Sequence, residues 1–370
     1  MLPIVIDDFD SWKDKQLSRR NFLKLFGIGS LALGFGLFGV SSVLKTLKEI
    51  SKITEAEAKQ QTLHRPNNNM LGIFYYPWYG GKDNKEDPYR HWKDGGHNPP
   101  LNWDSQYLPN ISGKNVTDPA IRLYDSQNLT IVERQMKLIK EAHISFVIWS
   151  WWGQNSFSDR AIDKFWKINT DAHLKHCIYY EKEWLDNVPA DEIKSDIDYI
   201  KTKYAGLNSN PDPKYLRIDI KPVVFVYNTT PAKNKGVTDY QKNLAKKWYI
   251  IRKQKAIYTV LKISNGWQKW KGKSNSWHQY EPATPYAKVP GYSSYVSPGW
   301  WSPTEDAPSL RRNIARFTDN IKTMKSDGTP IKMIQTWNEW TEGTGIEPAT
   351  FTDTGRDHGN TYINIVAKYF

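Results

Sequence analysis

The chain has 370 residues, 39% of them apolar and 14% aromatic, with a formal net charge of +12. That length accommodates one (β/α)8 barrel of about 250 to 300 residues and a shorter appendage, so one main domain is expected. The single cysteine, Cys177, excludes an intrachain disulfide scaffold, the eight histidines show no His-x-x-x-His or comparable ligand spacing, and no nucleic-acid recognition motif accompanies the positive charge.

Residues 1–45 carry the targeting signal. Ser18-Arg19-Arg20-Asn21-Phe22-Leu23-Lys24 fits the twin-arginine export pattern, and an uncharged stretch from Phe26 to Leu44 follows it. This stretch is close to the roughly 20 residues that span a bilayer. Its small-residue cleavage pattern is poor, with Val40-Ser41-Ser42 the best candidate. A retained anchor is therefore expected, placing the rest of the chain on the outer face of the plasma membrane. Residues 46–69 are charged, helix-prone and then broken by His64-Arg-Pro-Asn-Asn-Asn69, which reads as a stalk and linker.

From residue 70 to 370, apolar runs alternate with amphipathic stretches, the pattern of a parallel sheet with helical crossovers. Seven runs are clear: residues 71–76, 145–150, 176–180, 222–227, 258–263, 292–296 and 331–337. An eighth strand near Trp277 to Tyr280, or around Lys288-Val289, would complete a (β/α)8 barrel. Cys177 falls inside one of these runs and suggests a buried small hydrophobe. Thr130-Ile-Val-Glu133 has the form of a capping box opening a helix with Val132, Met136 and Ile139 on one face. Ile193, Ile197, Ile200 and Tyr204 form a second stripe. Leu310, Ile314, Phe317, Ile321 and Met324 form a third, ended by Asp327-Gly328. Ten further Lys and Arg residues lie between Lys233 and Lys273, opposed only by Asp239. They suit a solvated helix face or a surface for anionic lipid or glycan. Asn110, Asn115, Asn128 and Asn228 begin glycosylation sequons.

In a (β/α)8 barrel the reactive groups lie at the C-terminal ends of the strands. After the first run come Pro77-Trp-Tyr-Gly80 and then His91-Trp92; after the second, Trp151-Trp-Gly153; after the third, Glu181. The fourth run ends in Tyr227 and is followed by Asn228, and the last leads into Asn338-Glu-Trp-Thr-Glu-Gly343. Flat aromatic faces pack on the C–H faces of sugar rings, while carboxylates and amides bind hydroxyls. Tyr79, His91, Trp92, Trp151, Trp152, Glu181, Tyr227, Asn338 and Trp340 are thus the candidate substrate-binding residues. A glycosidic bond usually breaks between a carboxylic acid and a carboxylate. Glu339 and Glu342, set between tryptophans and glycines at a strand end, are the candidate catalytic pair.

The segment Trp337-Asn-Glu-Trp-Thr-Glu-Gly-Thr-Gly-Ile-Glu-Pro-Ala349 closely resembles the signature of glycoside hydrolase family 99, the endo-α-mannosidase family. Tyr75-Tyr-Pro-Trp-Tyr-Gly80 with His91-Trp92 resembles that family's N-terminal signature, and Trp151-Trp-Gly153, Glu181 and Ser297-Pro-Gly299 fall in order between them. The resemblance implies a (β/α)8 barrel, retention of anomeric configuration, and neither metal nor cofactor. It also implies that Glu339 is a base on the sugar 2-hydroxyl, forming an anhydro-sugar, and that Glu342 is the acid and then the base. Raising of the Glu342 pKa by burial among aromatics near Glu339 would suit that acid role. Thr341 stands where the family usually has His, Asp87-Pro88 replaces an Asp-Gly, and Trp300-Trp-Ser-Pro-Thr-Glu-Asp306 replaces an Arg-rich segment. These departures bear on the sugar subsites. The expected substrate is an α-mannan or a mannose-containing surface glycan. Another polysaccharide, as for an α-glucanase, and a non-catalytic glycan-binding role are the alternatives.

Overall fold

The computed structural model describes residues 70–94, 107–109, 123–182, 188–227, 237–263, 267–302, 305, 307–351 and 357–370. The twin-arginine segment, the apolar stretch and the linker lie outside them, as do Asn110, Asn115 and Asn228. Among the described residues no helix is long and apolar enough to cross a membrane.

Eight parallel strands form an α/β barrel. They are β1 (Met70–Tyr75), β2 (Phe146–Trp151), β3 (Lys175–Tyr180), β4 (Lys221–Val226), β5 (Tyr258–Lys262), β6 (Ser276–His278), β7 (Ser293–Val296) and β8 (Ile331–Ile334). Around the ring the order is β6, β5, β4, β3, β2, β1, β8, β7. In register, Gly72 stands beside Phe146 on β2, and Ile73 beside Ile334 on β8. Strands buried on both faces are apolar throughout, which is why β1 to β5 are legible as continuous runs. β6 is the short strand that carries no such run; it settles on the Trp277 side of the two possibilities, next to β5. Lys288-Val289 instead belongs to an antiparallel strand, Tyr286–Val289, paired to β7. No ladder joins β6 to β7. The Ser293 hydroxyl donates to the Trp277 carbonyl across that seam (2.7 Å), and the Gln335 amide donates to the Gln279 carbonyl (2.9 Å).

The helices are α1 (Leu129–Glu141), α2 (Phe157–Ile168), α3 (Ala190–Ile200), α4 (Val237–Lys255), α5 (Ile314–Ser326) and α6 (Thr361–Tyr369). They follow β1, β2, β3, β4, β7 and β8. The helical ring departs from eight equal units: after β5 a 3-10 helix, Trp267–Lys273, fills the position, and after β6 the strand Tyr286–Val289 does. Val132, Met136 and Ile139 are buried on α1 as expected, but the capping box is not formed. An Asp125–Asn128 turn starts the helix earlier, so Asn128 is the N-cap and Thr130 already lies in the first turn. α2 and α5 do have side-chain caps, Ser156 accepting from the Asp159 amide and Asn313 from the Arg316 amide. On α5 the buried stripe is Phe317, Ile321 and Met324; Leu310 precedes the helix, and Ile314 is 50% exposed. Ile193, Ile197, Ile200, Tyr204 and Cys177 are all buried.

The basic stretch is mostly a helix flank. Lys247 donates to the Val188 carbonyl, Arg252 to those of Gly272 and Lys273, and Lys255 pairs with Asp198, while Lys246, Lys253, Lys269 and Lys271 are exposed. Lys262, the last residue of β5, is different and lies at the barrel mouth. Below that mouth the barrel interior is filled by rings: Phe74 packs on Tyr179 at 4.9 Å between centroids, and Phe225 meets His278 at 5.4 Å.

Candidate active site

A cleft of about 330 Å³ opens at the C-terminal ends of the strands. Tyr76, Trp78, His91 and Asp94 come from the segment after β1, Trp152 from after β2, Glu181 after β3, Tyr227 after β4 and Tyr280 after β6, with Glu339, Thr341 and Glu342 after β8. The wall is built from rings. His91 stacks on Trp78 (4.4 Å, 20°), Trp78 also packs on Tyr76 (4.5 Å), and the Tyr76 hydroxyl donates to that of Tyr280 (2.6 Å). His91 has a φ of 56° and contacts Asp94 through Nδ1, so its ring is fixed by both backbone and side chain.

Of the residues expected to bind substrate, His91, Trp152, Glu181 and Tyr227 line this cleft, together with Glu339 and Glu342. Tyr79, Trp92, Trp151, Asn338 and Trp340 do not. All five are fully buried, and their polar atoms are spent inside the protein. Trp92 stacks on Tyr79 at 4.1 Å and donates to the Tyr124 carbonyl. Trp151 donates to Asp159, which also accepts from Tyr199 and Tyr204 and so ties β2 to α2 and α3. Tyr79 donates to the Asn338 carbonyl (2.9 Å) and accepts from the Trp340 amide (3.0 Å). Asn338 accepts from the Tyr76 amide (2.8 Å) and donates to the Tyr76 carbonyl and the Tyr124 hydroxyl (3.0 Å each), joining the loops after β1 and β8. Trp340 donates to Glu347. These side chains are buried beneath the cleft and do not line it.

Tyr76, Trp78, Asp94 and Tyr280 line the cleft without having been singled out, and Thr341, noted only as a departure from the family pattern, lines it too. The signal for the first two was present in the aromatic cluster around Pro77. What was missing was which ring faces up, since the period-2 alternation of a strand lapses once β1 ends.

The loop bearing the glutamates closes on itself. The Thr336 amide donates to the Thr344 carbonyl, Ile346 to Thr336, and Glu347 to Trp337, while the Glu339 amide donates to the Thr336 hydroxyl (2.8 Å). Gly343 adopts φ 67°, which favours glycine, and a Cβ on Gly345 would stand only 3.0 Å from the Trp337 carbonyl, a tight fit. Arg312 donates to the carbonyls of both, and the Trp301 amide donates to that of Glu342. Beneath the loop Glu347 accepts from Gln135 (2.7 Å), Tyr124 (2.9 Å) and Trp340 (3.1 Å), and burial pushes its carboxyl up to about 7.

Of the four carboxyls that line the cleft, the three glutamates resist ionisation, whereas the contact with His91 favours the charged form of Asp94. Glu181 is pushed up to about 8, chiefly by burial, with the Ser150 hydroxyl and the Lys262 ammonium opposing. Glu342 is raised by burial, while the Trp300 side chain and Lys262 favour its charged form. Glu339 is held well above the usual carboxylate range by burial and then by the like charges of Glu342, Glu181 and Asp94. Burial raises Glu342 in the direction that its expected acid role needs, and like charges on Glu339 and Glu342 repel one another.

Among known proteins, the mouse glycoprotein endo-alpha-1,2-mannosidase is 24% identical over 210 residues, spanning 48% of this chain and 41% of the mouse protein. The chain thus covers less than half the length of that relative. The GH99 endo-alpha-mannosidase from Bacteroides thetaiotaomicron superposes with a TM-score of 0.61 at 18% identity, over 81% of this chain and 96% of that one. A structure of the bacterial enzyme in complex with bis-tris-propane gives 0.62 at 17% identity, over 81% and 95%. These two likenesses speak to the fold. The family model of glycosyl hydrolase family 99 matches residues 66–252, half of the chain although short of the Glu339 loop, and the chain belongs to that family.

Proposed function

We propose that this protein is an exported, retaining endo-α-glycosidase of the endo-α-mannosidase type, acting on a mannose-containing polysaccharide or surface glycan. The observation that carries the reading is the placement of Glu339 and Glu342, with Glu181, in an aromatic-walled cleft at the C-terminal end of the barrel. Names of relatives support the sugar class: the mouse protein is an endo-alpha-1,2-mannosidase and the bacterial one an endo-alpha-mannosidase. Trp78 and His91 offer stacked faces to a sugar ring, and Glu181 offers a carboxyl to its hydroxyls.

In the proposed reaction Glu339, as carboxylate, takes the proton of the sugar 2-hydroxyl, and that oxygen attacks C1 from the face opposite the leaving group. The C1–O2 bond forms as the glycosidic C1–O bond breaks, and the leaving oxygen takes the proton of Glu342. Water, deprotonated by Glu342, then opens the anhydro-sugar at C1, O2 recovers its proton from Glu339, and the configuration is retained. A hydrogen bond from the sugar 2-hydroxyl to Glu339 favours its carboxylate form, the form that the first step needs. The twin-arginine segment supports export, with the apolar stretch as anchor.

The test is a screen of the full-length chain against α-mannans and α-glucans with product sizes read by mass. Oligosaccharides from a mannan are expected; cleavage of glucans alone, or of neither, would refute the substrate class. A 2-deoxy analogue should be refused, because it lacks the internal nucleophile.

A further inference from the structure

Glu347 is buried beneath the loop that bears the catalytic pair and does not line the cleft. Three side chains converge on its carboxyl. Gln135 of α1 donates to Oε1 (2.7 Å), while the Tyr124 hydroxyl (2.9 Å) and the Trp340 indole (3.1 Å) donate to Oε2. An indole N–H can only donate. The direction at Tyr124 is fixed from its other side: Asn338 accepts from the Tyr76 amide through Oδ1, so its Nδ2 donates to the Tyr124 oxygen, and the Tyr124 proton is directed to Glu347. Oε2 therefore faces two donors and has no place for a proton of its own. A proton on Glu347 fits only at Oε1, and only if the Gln135 amide turns over and the Tyr75 hydroxyl, which donates to Gln135 Oε1 (2.5 Å), turns to accept. The other ionisable groups around this carboxyl are Tyr75 on β1, Tyr124 before α1 and Arg134 on α1. Burial holds it up at about 7 against the three donors and Arg134, so it is charged above that point and neutral below it.

We propose that Glu347 is a positioning residue for the reaction: as a carboxylate it grips Trp340 and Tyr124, and through them holds Glu339 and Glu342 at the cleft. This rests on the glycosidase reading above. Trp340 stands between the two glutamates in the chain, and Glu347 anchors its side chain from below. Tyr124 passes the same hold to Asn338, the residue before Glu339. The Glu347 backbone amide donates to the Trp337 carbonyl, so main chain and side chain of one residue fasten the segment at two points. Hydrogen bonds to an ionised acceptor are about twice as strong as neutral ones, so a neutral Glu347 keeps its contacts but loosens them. Small misplacements of reacting groups slow the chemical step steeply. Binding is little affected, because Glu347 lies outside the cleft.

The test compares the full-length wild type with E347Q, whose amide nitrogen fits only against Gln135, so that the neutral arrangement is fixed. Both kcat and KM are followed over pH on a mannan-derived oligosaccharide. The ratio of wild-type to E347Q kcat should be about tenfold well above the Glu347 midpoint of about 7 and approach unity well below it, with KM unchanged. Taking the ratio removes the titration of Glu339 and Glu342, which both proteins share. A carboxyl that serves only packing gives a ratio that does not vary with pH. That result, or a loss confined to KM, overturns the proposal.

A second readout needs neither turnover nor a folded E347Q. The indole N–H resonance of Trp340 in the wild type, identified by its loss in W340F, is followed through the same pH range. It should move upfield as pH falls through about 7, because the bond to a neutral acceptor is weaker. A resonance that stays in place sinks the proposal. Absence of hydrolysis by the wild type would overturn the glycosidase reading instead.

Discussion

Replacing Asn338 by alanine tests whether the amide clamps the catalytic loop, since it does not line the cleft. Its side chain satisfies the backbone amide and carbonyl of Tyr76 and accounts for one bond of the Tyr124 hydroxyl, all in fully buried surroundings. After truncation Tyr124 keeps Glu347, but both Tyr76 backbone groups lose a partner. A buried polar group left unpaired costs about 1–3 kcal/mol, so the two together cost roughly 2–6 kcal/mol. For a domain of this size that lowers the melting point by roughly 3–10 °C. Calorimetry of the variant gives the stability, and kcat/KM on a mannan gives the consequence for Glu339, one residue along. A variant melting within about 2 °C of wild type would refute the clamp.

Trp92→Ala should cost about 3–5 kcal/mol of stability because the ring is wholly buried, whereas Trp78→Ala and Trp152→Ala should weaken glycan binding with little change in melting. Comparable melting losses for all three would refute that division between floor and wall. Glu181 titrates near 8 when folded and near 4.5 when unfolded, so the stability it lends is complete below about 4.5 and is lost as pH rises through 8. Glu181→Gln removes that dependence, and its melting point relative to wild type should rise across this window; a gap constant with pH would contradict the shift. Changing Arg19 and Arg20 together to Lys should leave the protein in the cytoplasm, and normal export of the double variant would refute the twin-arginine reading.

The barrel was legible because parallel strands buried on both faces must be apolar, and the helices between them show their stripes. β6 was obscured by being three residues long, with Ser276 and His278 facing the interior beside Trp277. The missing capping box has a similar cause: a turn two residues upstream, held by Asp125, supplied another start for α1. At the site, chemistry was easier to read than position. Glu339, Glu342 and Glu181 could be placed by strand ends alone. Whether an aromatic faces the cleft or the floor depends on loop paths such as the left-handed turn at Tyr89 and His91, which carries no periodic signal. For that reason Trp92 and Tyr79 were expected in the cleft, where Trp78 and Tyr76 stand. Lys262 was hidden by its basic neighbours, since only the fold separates a strand end from a helix flank.

The central claim, that Glu339 and Glu342 divide the work of glycosidic cleavage, is tested most directly by leaving-group dependence in the two glutamine variants. The measurement is kcat/KM of wild type, Glu339→Gln and Glu342→Gln on an α-mannosyl fluoride and on a mannan oligosaccharide. Glu342→Gln should lose several orders of magnitude on the oligosaccharide and far less on the fluoride, whose departure needs little protonation. Glu339→Gln should fail on both, having lost the base that activates the 2-hydroxyl. Near-normal activity of either variant on the oligosaccharide, or equal losses by Glu342→Gln on the two substrates, would contradict the account.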